Sequence, residues 1–119
     1  MNVLIVDDNV EITDMLSFCF KSQGVECKIV NTGKEGLETI LNEDFNLVLL
    51  DLAIPEFSGH DIFTELKKQG LLKAKNIVLF TASSIPESDI QQMLLDGAKG
   101  IIRKPVSIDE ILMTIKSFS

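Results

Sequence analysis

The stretch LVLLDLAIPEFSG, residues 47–59, runs from four apolar residues straight into a carboxylate and then into a loop that contains proline and glycine. A continuous apolar run of this kind predicts a strand buried on both faces, as in a parallel sheet. Asp51 is unexpected at the end of such a strand, because a buried charge is costly unless it is paired. The meaning of Asp51 therefore depends on the residues that end the neighbouring strands.

The remainder of the chain alternates short apolar runs with segments of helical period. Further strands are predicted at NVLIVD (2–7), VECKIV (25–30), NIVLFT (76–81) and GIIRK (100–104). Between them, apolar residues recur at i, i+3, i+4 and i+7, which is the spacing of one helical face. The residues expected to face inward are Ile12, Met15, Leu16, Cys19, Phe20, Leu37, Ile40, Leu41, Ile62, Phe63, Leu66, Ile90, Met93, Leu94, Ile108, Ile111, Leu112 and Ile115.

The ends of the predicted helices carry capping signals, which are serine or threonine at the start and glycine at the end. The first helix is predicted over residues 10–23. The predicted start residues of later helices are Thr32, Ser58 or Gly59, Ser84 and Ser107, and the predicted stop residues are Gly24 and Gly97.

Five strand–helix units in strict alternation predict an α/β domain with one parallel sheet and helices on both faces. Right-handed crossovers leave few topologies for such a chain. We expect a single doubly wound (βα)5 domain of the flavodoxin-like class, with its five parallel strands in the order 2-1-3-4-5. At 119 residues the chain fits one domain, and we assign residues 1–119 to it.

Charge and composition argue against several classes of function. A net charge of −7 disfavours DNA or RNA as a direct partner. The apolar runs are too short to span a membrane, and no signal peptide precedes the first strand, so we expect a cytoplasmic protein. Cys19 and Cys27 fall at inward positions of a predicted helix and strand, and we expect both to be reduced core residues.

Polar residues stand at the carboxyl ends of four predicted strands. Strand 1 ends in Asp7 and Asp8, strand 3 in Asp51, strand 4 in Thr81 and strand 5 in Lys104. In an open α/β sheet, functional groups gather at these ends, around the switch point between strands 1 and 3. We therefore expect three carboxylates to converge beside a hydroxyl and an ammonium.

Three carboxylates in one place repel one another unless a cation neutralises them. A hard divalent cation such as Mg²⁺, or Mn²⁺, prefers such oxygen ligands and also binds phosphate oxygens. These residues therefore predict a site where a carboxylate attacks a phosphoryl group and forms an acyl phosphate. Asp51 is the predicted nucleophile, with the metal and Lys104 offsetting charge on the transferred oxygens.

Three of these residues also have an ordinary structural explanation. Asp8 fits the N-cap of the first helix, and Thr81 is a good strand former. Lys104-Pro105 reads as a surface turn when it is taken alone. Suitable residue types at four strand ends in the expected order favour the functional interpretation over these separate ones.

With these residues in place, the chain resembles the response-regulator receiver domains, also called CheY-like. The matching motifs are VDD (6–8), DLAIPEFSG (51–59) against the family's D-x-x-[MI]-P-x-x-x-G, TAS (81–83) and GAKGIIRKP (97–105). The resemblance covers nearly all of residues 2–117. It implies a phosphoacceptor switch of a two-component system or phosphorelay, and not an enzyme beyond self-catalysed phosphotransfer and slow autodephosphorylation.

The resemblance also implies a role for each matched acid. Asp51 would accept a phosphoryl group from a histidine kinase or a histidine phosphotransfer protein. Asp8 and Asp51, together with the backbone carbonyl of Ala53, would bind Mg²⁺ directly, whereas Asp7 would act through water. Neither nucleic acid nor a membrane is an expected partner.

The remaining implied roles concern the switch. Thr81 would move to hydrogen-bond the phosphoryl oxygen, Lys104 would pair with it, and Lys104-Pro105 would be a cis peptide. Ile101 stands where the family usually has Tyr or Phe, so we expect a loop shift after strand 4 in place of a ring rotation. An output protein would then bind the face made by helix 4, strand 5 and helix 5. Ala53 and Ser83 lack an acid or amide that could position water, which implies a long-lived phosphoryl group.

Two other functions stay open from sequence. The presence of all five site residues argues against a receiver-like module that binds partners without phosphorylation, although Ile101 keeps this alternative open. A phosphatase with an aspartyl nucleophile is disfavoured, because Ala53 stands where the haloacid-dehalogenase-like enzymes place a second Asp. The chain ends just after the fifth predicted helix, and we expect a stand-alone receiver, although a piece of a longer regulator would read the same.

Overall fold

The computed structural model describes residues 1–82 and 85–118, and strands alternate with helices throughout them. The strands are β1 (Asn2–Val6), β2 (Glu26–Val30), β3 (Leu47–Asp51), β4 (Ile77–Thr81) and β5 (Gly100–Arg103). The helices are α1 (Val10–Ser22), α2 (Gly33–Asn42), α3 (Gly59–Lys68), α4 (Glu87–Asp96) and α5 (Ile108–Phe118). The predicted order of elements is confirmed.

All five strands are parallel and lie in the order β2-β1-β3-β4-β5, as expected for the flavodoxin-like class. Val6 at the end of β1 pairs with Leu50, and Asp51 at the end of β3 pairs with Phe80 of β4. The carboxyl ends of the three central strands are therefore side by side. This register places residues 7, 8, 51 and 81 along one edge of the sheet.

Successive side chains of the central strands point to opposite faces of the sheet, so both faces are apolar. Leu4, Val6 and Leu50 belong to the core under α2, α3 and α4. Val3 and Ile5 belong to the core under α1 and α5. Complete burial of one such side chain stabilises the fold by about 1.5–3 kcal/mol relative to exposure. Burial on both faces explains why these strands read as continuous apolar runs.

Most capping predictions agree with the structure. The side chains of Thr32, Ser58 and Ser107 each accept a hydrogen bond from a backbone N–H in the first turn of the following helix. Ser84 lies outside the described residues, and α4 has Pro86 at its N-cap with no side-chain hydrogen bond. The alternative role of Asp8 as a helix cap is wrong, because the N-cap of α1 is Asn9.

Three predicted core residues are exposed. Met15 and Leu41 are 42% and 37% exposed, and Ile108 is 57% exposed. The buried face of α1 includes Thr13 and not Met15, so this helix is rotated about its axis relative to the face that the apolar pattern predicts. Ile108 is the first residue of α5, so only the later turns of that helix pack on the sheet.

Both cysteines are free thiols, with Cys19 buried and Cys27 half-buried against the core under α1 and α5. Burial raises the pKa of Cys27 to about 11, although the charge of Lys21 opposes this. The Cys27 thiol therefore stays protonated near neutral pH. In the described part of the chain, no helix combines the length and apolar character required to span a bilayer.

Candidate functional site

The structure brings Asp7, Asp8 and Asp51 together at the carboxyl edge of the sheet. Each offers a carboxylate oxygen, and these oxygens lie within 4.8 Å of one another. Asp7 and Asp8 directly follow β1, and Asp51 is the last residue of the adjacent β3. Asp7 and Asp51 are buried, whereas Asp8 is exposed. The site thus has a buried floor and one acid open to solvent.

Lys104 supplies the positive charge of this cluster. Its Nζ lies 3.0 Å from Asp7 Oδ2 and 3.5 Å from Asp51 Oδ2. The ammonium also lies 4.9 Å from the centre of the Phe80 ring, close enough for a cation–π contact. The backbone N–H of Lys104 donates to the carbonyl of Thr81 across 2.8 Å, which fixes the start of the loop after β5.

Asp7 is held from several sides. Its Oδ1 accepts a hydrogen bond from the backbone N–H of Asn9 at 2.9 Å, and its Oδ2 accepts one from Lys104. The side chain of Asn31 donates to the backbone carbonyl of Asp7 across 2.8 Å. Both carboxylate oxygens of Asp7 therefore have partners within the protein, whereas Asp8 is exposed.

The pKa of the Asp51 carboxyl is raised above its usual range. Burial is the main cause, and the neighbouring charge of Asp7 adds to it. Hydrogen bonding from the backbone N–H of Ala53, at 3.1 Å from Asp51 Oδ1, and the charge of Lys104 act in the opposite direction. One ammonium does not fully offset two buried carboxylates, so a second cation would favour the ionised form of Asp51.

Thr81 and Ile101 lie at the adjoining part of the sheet. Thr81 is buried at the end of β4, and its hydroxyl donates to the carbonyl of Ala82 across 3.1 Å. Ile101 is half-buried and pairs with Leu79 between β4 and β5. Ser83, which follows Ala82, lies outside the described residues.

One smaller expectation agrees with the structure, since Lys104-Pro105 is a cis peptide.

Asn9 and Asn31 contact Asp7, but neither was singled out from sequence. The preference of asparagine for helix N-caps could have identified Asn9, since it stands just before the first helical residue. Asn31 directly follows β2, so it also stands at the carboxyl end of a strand, where functional groups gather in an open α/β sheet. Neither residue carries a charge, whereas the predicted ends of strands 1, 3 and 5 are charged.

The donor set fits a hard divalent cation. Carboxylate oxygens from three residues converge, and Mg²⁺ prefers oxygen ligands while keeping several waters. The exposed position of Asp8 and of Ala53 leaves room for water on the solvent side of the site. This acidic triad is typical of the Mg²⁺ site of receiver domains.

Comparison with known proteins gives a consistent result. The model of the response regulator receiver domain family matches residues 3–116. Response regulator SaeR of Staphylococcus aureus is 30% identical over 116 residues, which are 98% of this chain and 49% of that protein. The chain therefore spans about half the length of the curated relatives it matches.

Solved structures show the same likeness. A receiver domain protein (CheY-like) from Methanospirillum hungatei JF-1 aligns with a TM-score of 0.85 and 32% identity, over 98% of this chain and 90% of that one. The receiver domain of the Francisella response regulator 1452 aligns with a TM-score of 0.85 and 25% identity, over 98% and 94%. The chain thus belongs to the response regulator receiver domains, the CheY-like phosphoacceptor switches of two-component signal transduction.

Proposed function

We propose that residues 1–119 act as one receiver domain in which Asp51 accepts a phosphoryl group from a phosphohistidine. The reaction requires Mg²⁺ and changes the affinity of the domain for a protein partner. The observation that carries this proposal is the position of the Asp51 carboxylate, which lies beside Lys104 and within 4.8 Å of oxygens from Asp7 and Asp8.

Asp51 is suited to be the nucleophile because its carboxylate is oriented before any donor arrives. The Ala53 N–H holds Oδ1, and Lys104 lies beside Oδ2. In the reaction a carboxylate oxygen forms a bond to phosphorus while the bond from phosphorus to the donor imidazole nitrogen breaks. The imidazole leaves with the electron pair of that bond and takes up a proton.

The metal would be held by Asp8, Asp51 and the backbone carbonyl of Ala53, with Asp7 acting through water. When bound, Mg²⁺ supplies positive charge that offsets the acids and the oxygens of the transferred group. Lys104 would move from its position beside Asp7 to pair with the phosphoryl oxygens. Thr81, buried at the end of β4, would turn its hydroxyl from the Ala82 carbonyl toward the same group.

The expected phosphodonor is a histidine kinase or a histidine phosphotransfer protein, and the family membership of the chain supports a histidine kinase partner. We propose that the output partner binds the face formed by α4, β5 and α5. Ile101 of β5 lies on the strand beside Thr81, so a change at Thr81 has a short path to that face.

Incubation with acetyl phosphate and Mg²⁺ tests the proposal. Intact-protein mass spectrometry should show one added phosphoryl group in the wild type, and none in Asp51→Asn or in the presence of EDTA. Asp44→Asn is the matched control, because the Asp44 side chain is fully exposed and Asp44 precedes β3, at the opposite end of that strand from Asp51. An equal phosphorylated fraction in wild type and Asp51→Asn would refute the role of Asp51.

The alternative function is a receiver-like module that binds its partner without phosphorylation. The half-buried Ile101, which cannot rotate an aromatic ring, is the observation that favours it. If the protein is such a module, the wild type and the Asp51→Asn variant would bind the partner with equal affinity. The phosphorylation assay and a partner-binding assay on the same two proteins separate the two functions.

A further inference from the structure

The turn that joins β2 to α2, taken with the first two residues of that helix (residues 31–34), contributes none of the three acids, yet it contacts both chain segments that carry them. We propose that this turn is a positioning element that sets the spacing of the metal site, through Asn31 on one side and Gly33 on the other. The inference rests on the proposed function, because it concerns the Mg²⁺ site of that function.

On the first side, Asn31 ties the end of β1 to the end of β2. The Asn31 side-chain amide donates to the Asp7 carbonyl across 2.8 Å, and the Asp7 N–H donates to the Val30 carbonyl across 3.1 Å. Both backbone polar groups of Asp7 are therefore bonded to the β2 end. Because Asp8 follows directly, this anchoring limits where its carboxylate can lie.

On the second side, Gly33 lies against the loop that follows β3. A Cβ added at Gly33 would be 1.5 Å from the Phe57 carbonyl oxygen and 2.6 Å from the Phe57 carbonyl carbon. Both atoms belong to the backbone, so no side-chain rotation can make room for it. The absence of a side chain at Gly33 is thus what allows the loop to rest on the first residue of α2.

The loop is also fixed at its far end. A Cβ added at Gly59 would be 1.9 Å from the Asp51 carbonyl oxygen. Glu56 has a φ of 67°, a left-handed conformation that a non-glycine residue keeps only where its surroundings impose it. A displacement of Phe57 would therefore be passed along the loop to Ala53, whose N–H orients the Asp51 carboxylate.

The two sides together define the width of the site. A cleft of about 390 Å³ opens beside the acids, between the Asp8 segment and the loop after β3, and Asp8 is the acid of the site that lines it, together with Asn31, Gly33 and Phe57. The ligands of a Mg²⁺ ion must lie at near-ideal octahedral positions, so a change in this width weakens binding. The turn therefore affects metal affinity without supplying a ligand.

The first test compares two glycines of α2. Gly33→Ala pushes on the loop backbone, whereas Gly36→Ala places its Cβ 2.7 Å from a side-chain methyl of the core residue Val6. Electron paramagnetic resonance of Mn²⁺, which measures free ion directly, gives the affinity of each protein without any phosphodonor. We expect Gly33→Ala to weaken Mn²⁺ binding by about tenfold or more, and Gly36→Ala by at most about twofold, whatever stability each one loses.

The second test compares two asparagines and gives a result even if Gly33→Ala does not fold. Asn31→Ala removes the hydrogen bond to Asp7 at the carboxyl edge. Asn46→Ala also removes a hydrogen bond between an asparagine side chain and the β1 backbone, at the opposite edge of the sheet, where Asn46 Oδ1 accepts from the Asn2 N–H at 2.8 Å. We expect Asn31→Ala to weaken Mn²⁺ binding about tenfold and Asn46→Ala to leave it unchanged.

Asp8→Asn supplies the baseline that separates the two proposals. If the wild type binds Mn²⁺ no better than Asp8→Asn, the proposed function fails at its metal site. If wild-type binding depends on Asp8 but Asn31→Ala matches Asn46→Ala, or folded Gly33→Ala matches Gly36→Ala, the positioning role of the turn is overturned.

Discussion

The ammonium of Lys104 donates to a carboxylate oxygen of Asp7 across 3.0 Å, although the two residues lie 97 positions apart in the chain. Asp7 is fully buried and Lys104 is 19% exposed at its side chain, so water screens this pair only weakly. The same ammonium lies 3.5 Å from Asp51. One lysine therefore partly balances both buried acids of the site.

Removal of this lysine should destabilise the metal-free fold. Lys104→Met leaves two buried carboxylates without their cation, and we expect the free energy of unfolding to fall by about 2 kcal/mol or more. Lys28→Met is the matched control, because the Lys28–Glu43 pair is about half-exposed on both sides and should contribute less than about 1 kcal/mol. Urea denaturation without Mg²⁺ measures both variants. A Lys104→Met protein as stable as the wild type would contradict the balancing role.

Neutralising Asp51 should have the opposite effect. The pKa of Asp51 is higher in the folded protein than in the unfolded chain, where it is about 4. At pH values between these two pKa values, the folded protein therefore binds more protons than the unfolded chain. The contribution of Asp51 to stability therefore falls as pH rises through this window. At pH 7 Asp51→Asn should raise the free energy of unfolding of the metal-free protein.

The same variant should respond differently to metal. Mg²⁺ should stabilise the wild type, because it binds the folded state, and should stabilise Asp51→Asn much less. Asp44→Asn, which changes a fully exposed acid, should follow the wild type in both respects. Denaturation curves at several pH values, with and without Mg²⁺, provide the measurement. Lower stability of metal-free Asp51→Asn at pH 7 would show that the ionised acid stabilises the fold.

Asp8 and Asp7 should differ in their effect on metal affinity. Asp8 is exposed and forms no helix cap, whereas both carboxylate oxygens of Asp7 are already engaged by the Asn9 N–H and by Lys104. We expect Asp7→Asn to weaken Mg²⁺ binding by about tenfold, as for a residue that acts through water, and Asp8→Asn to weaken it further. Isothermal titration calorimetry would decide between this order and the reverse one.

The lifetime of the phosphoryl group should depend on Ala53, which stands two positions after Asp51 in the sequence. Ala53 is exposed beside the acid and offers no side-chain group that could orient an attacking water. Replacing Ala53 with Asn together with Ser83→Glu should therefore accelerate loss of the phosphoryl group. Mass spectrometry during decay, after removal of the donor, follows the rate. A rate equal to or below that of the wild type would mean that access of water is controlled elsewhere.

The conformational switch should lie at the start of α4. Pro86 is its N-cap without a side-chain hydrogen bond, and Glu87, the next residue, forms an ion pair with Arg103 of β5. Ile101 can change rotamer but cannot sweep a ring between buried and exposed positions. Beryllofluoride, a phosphoryl mimic, should therefore shift backbone amide resonances mainly in residues 81–90. Changes confined to the metal-binding loops would instead indicate a phosphate sink without a propagated switch.

The fold and the candidate site differ in how far local patterns reveal them. The apolar runs of β1, β3 and β4 are local signals. Such runs are typical of strands buried on both faces of a parallel sheet, and this arrangement occurs almost only in the α/β fold class. Strand ends are also local, which is why Asp7, Asp8, Asp51 and Lys104 could be named together from sequence. The register of the sheet then brings them to one edge.

Other features depended on contacts between residues far apart in the chain. Lys104 lies nearer to Asp7 than to Asp51, and Gly33 has to lack a side chain because the Phe57 carbonyl lies against it. The inward faces of helices were predicted only approximately, since the rotation of α1 about its own axis buries Thr13 and leaves Met15 exposed. Sequence periodicity indicates which residues of a helix can share a face. The packing of the crossover helices on the sheet determines which residues that face contacts. Distances within the site follow from that packing.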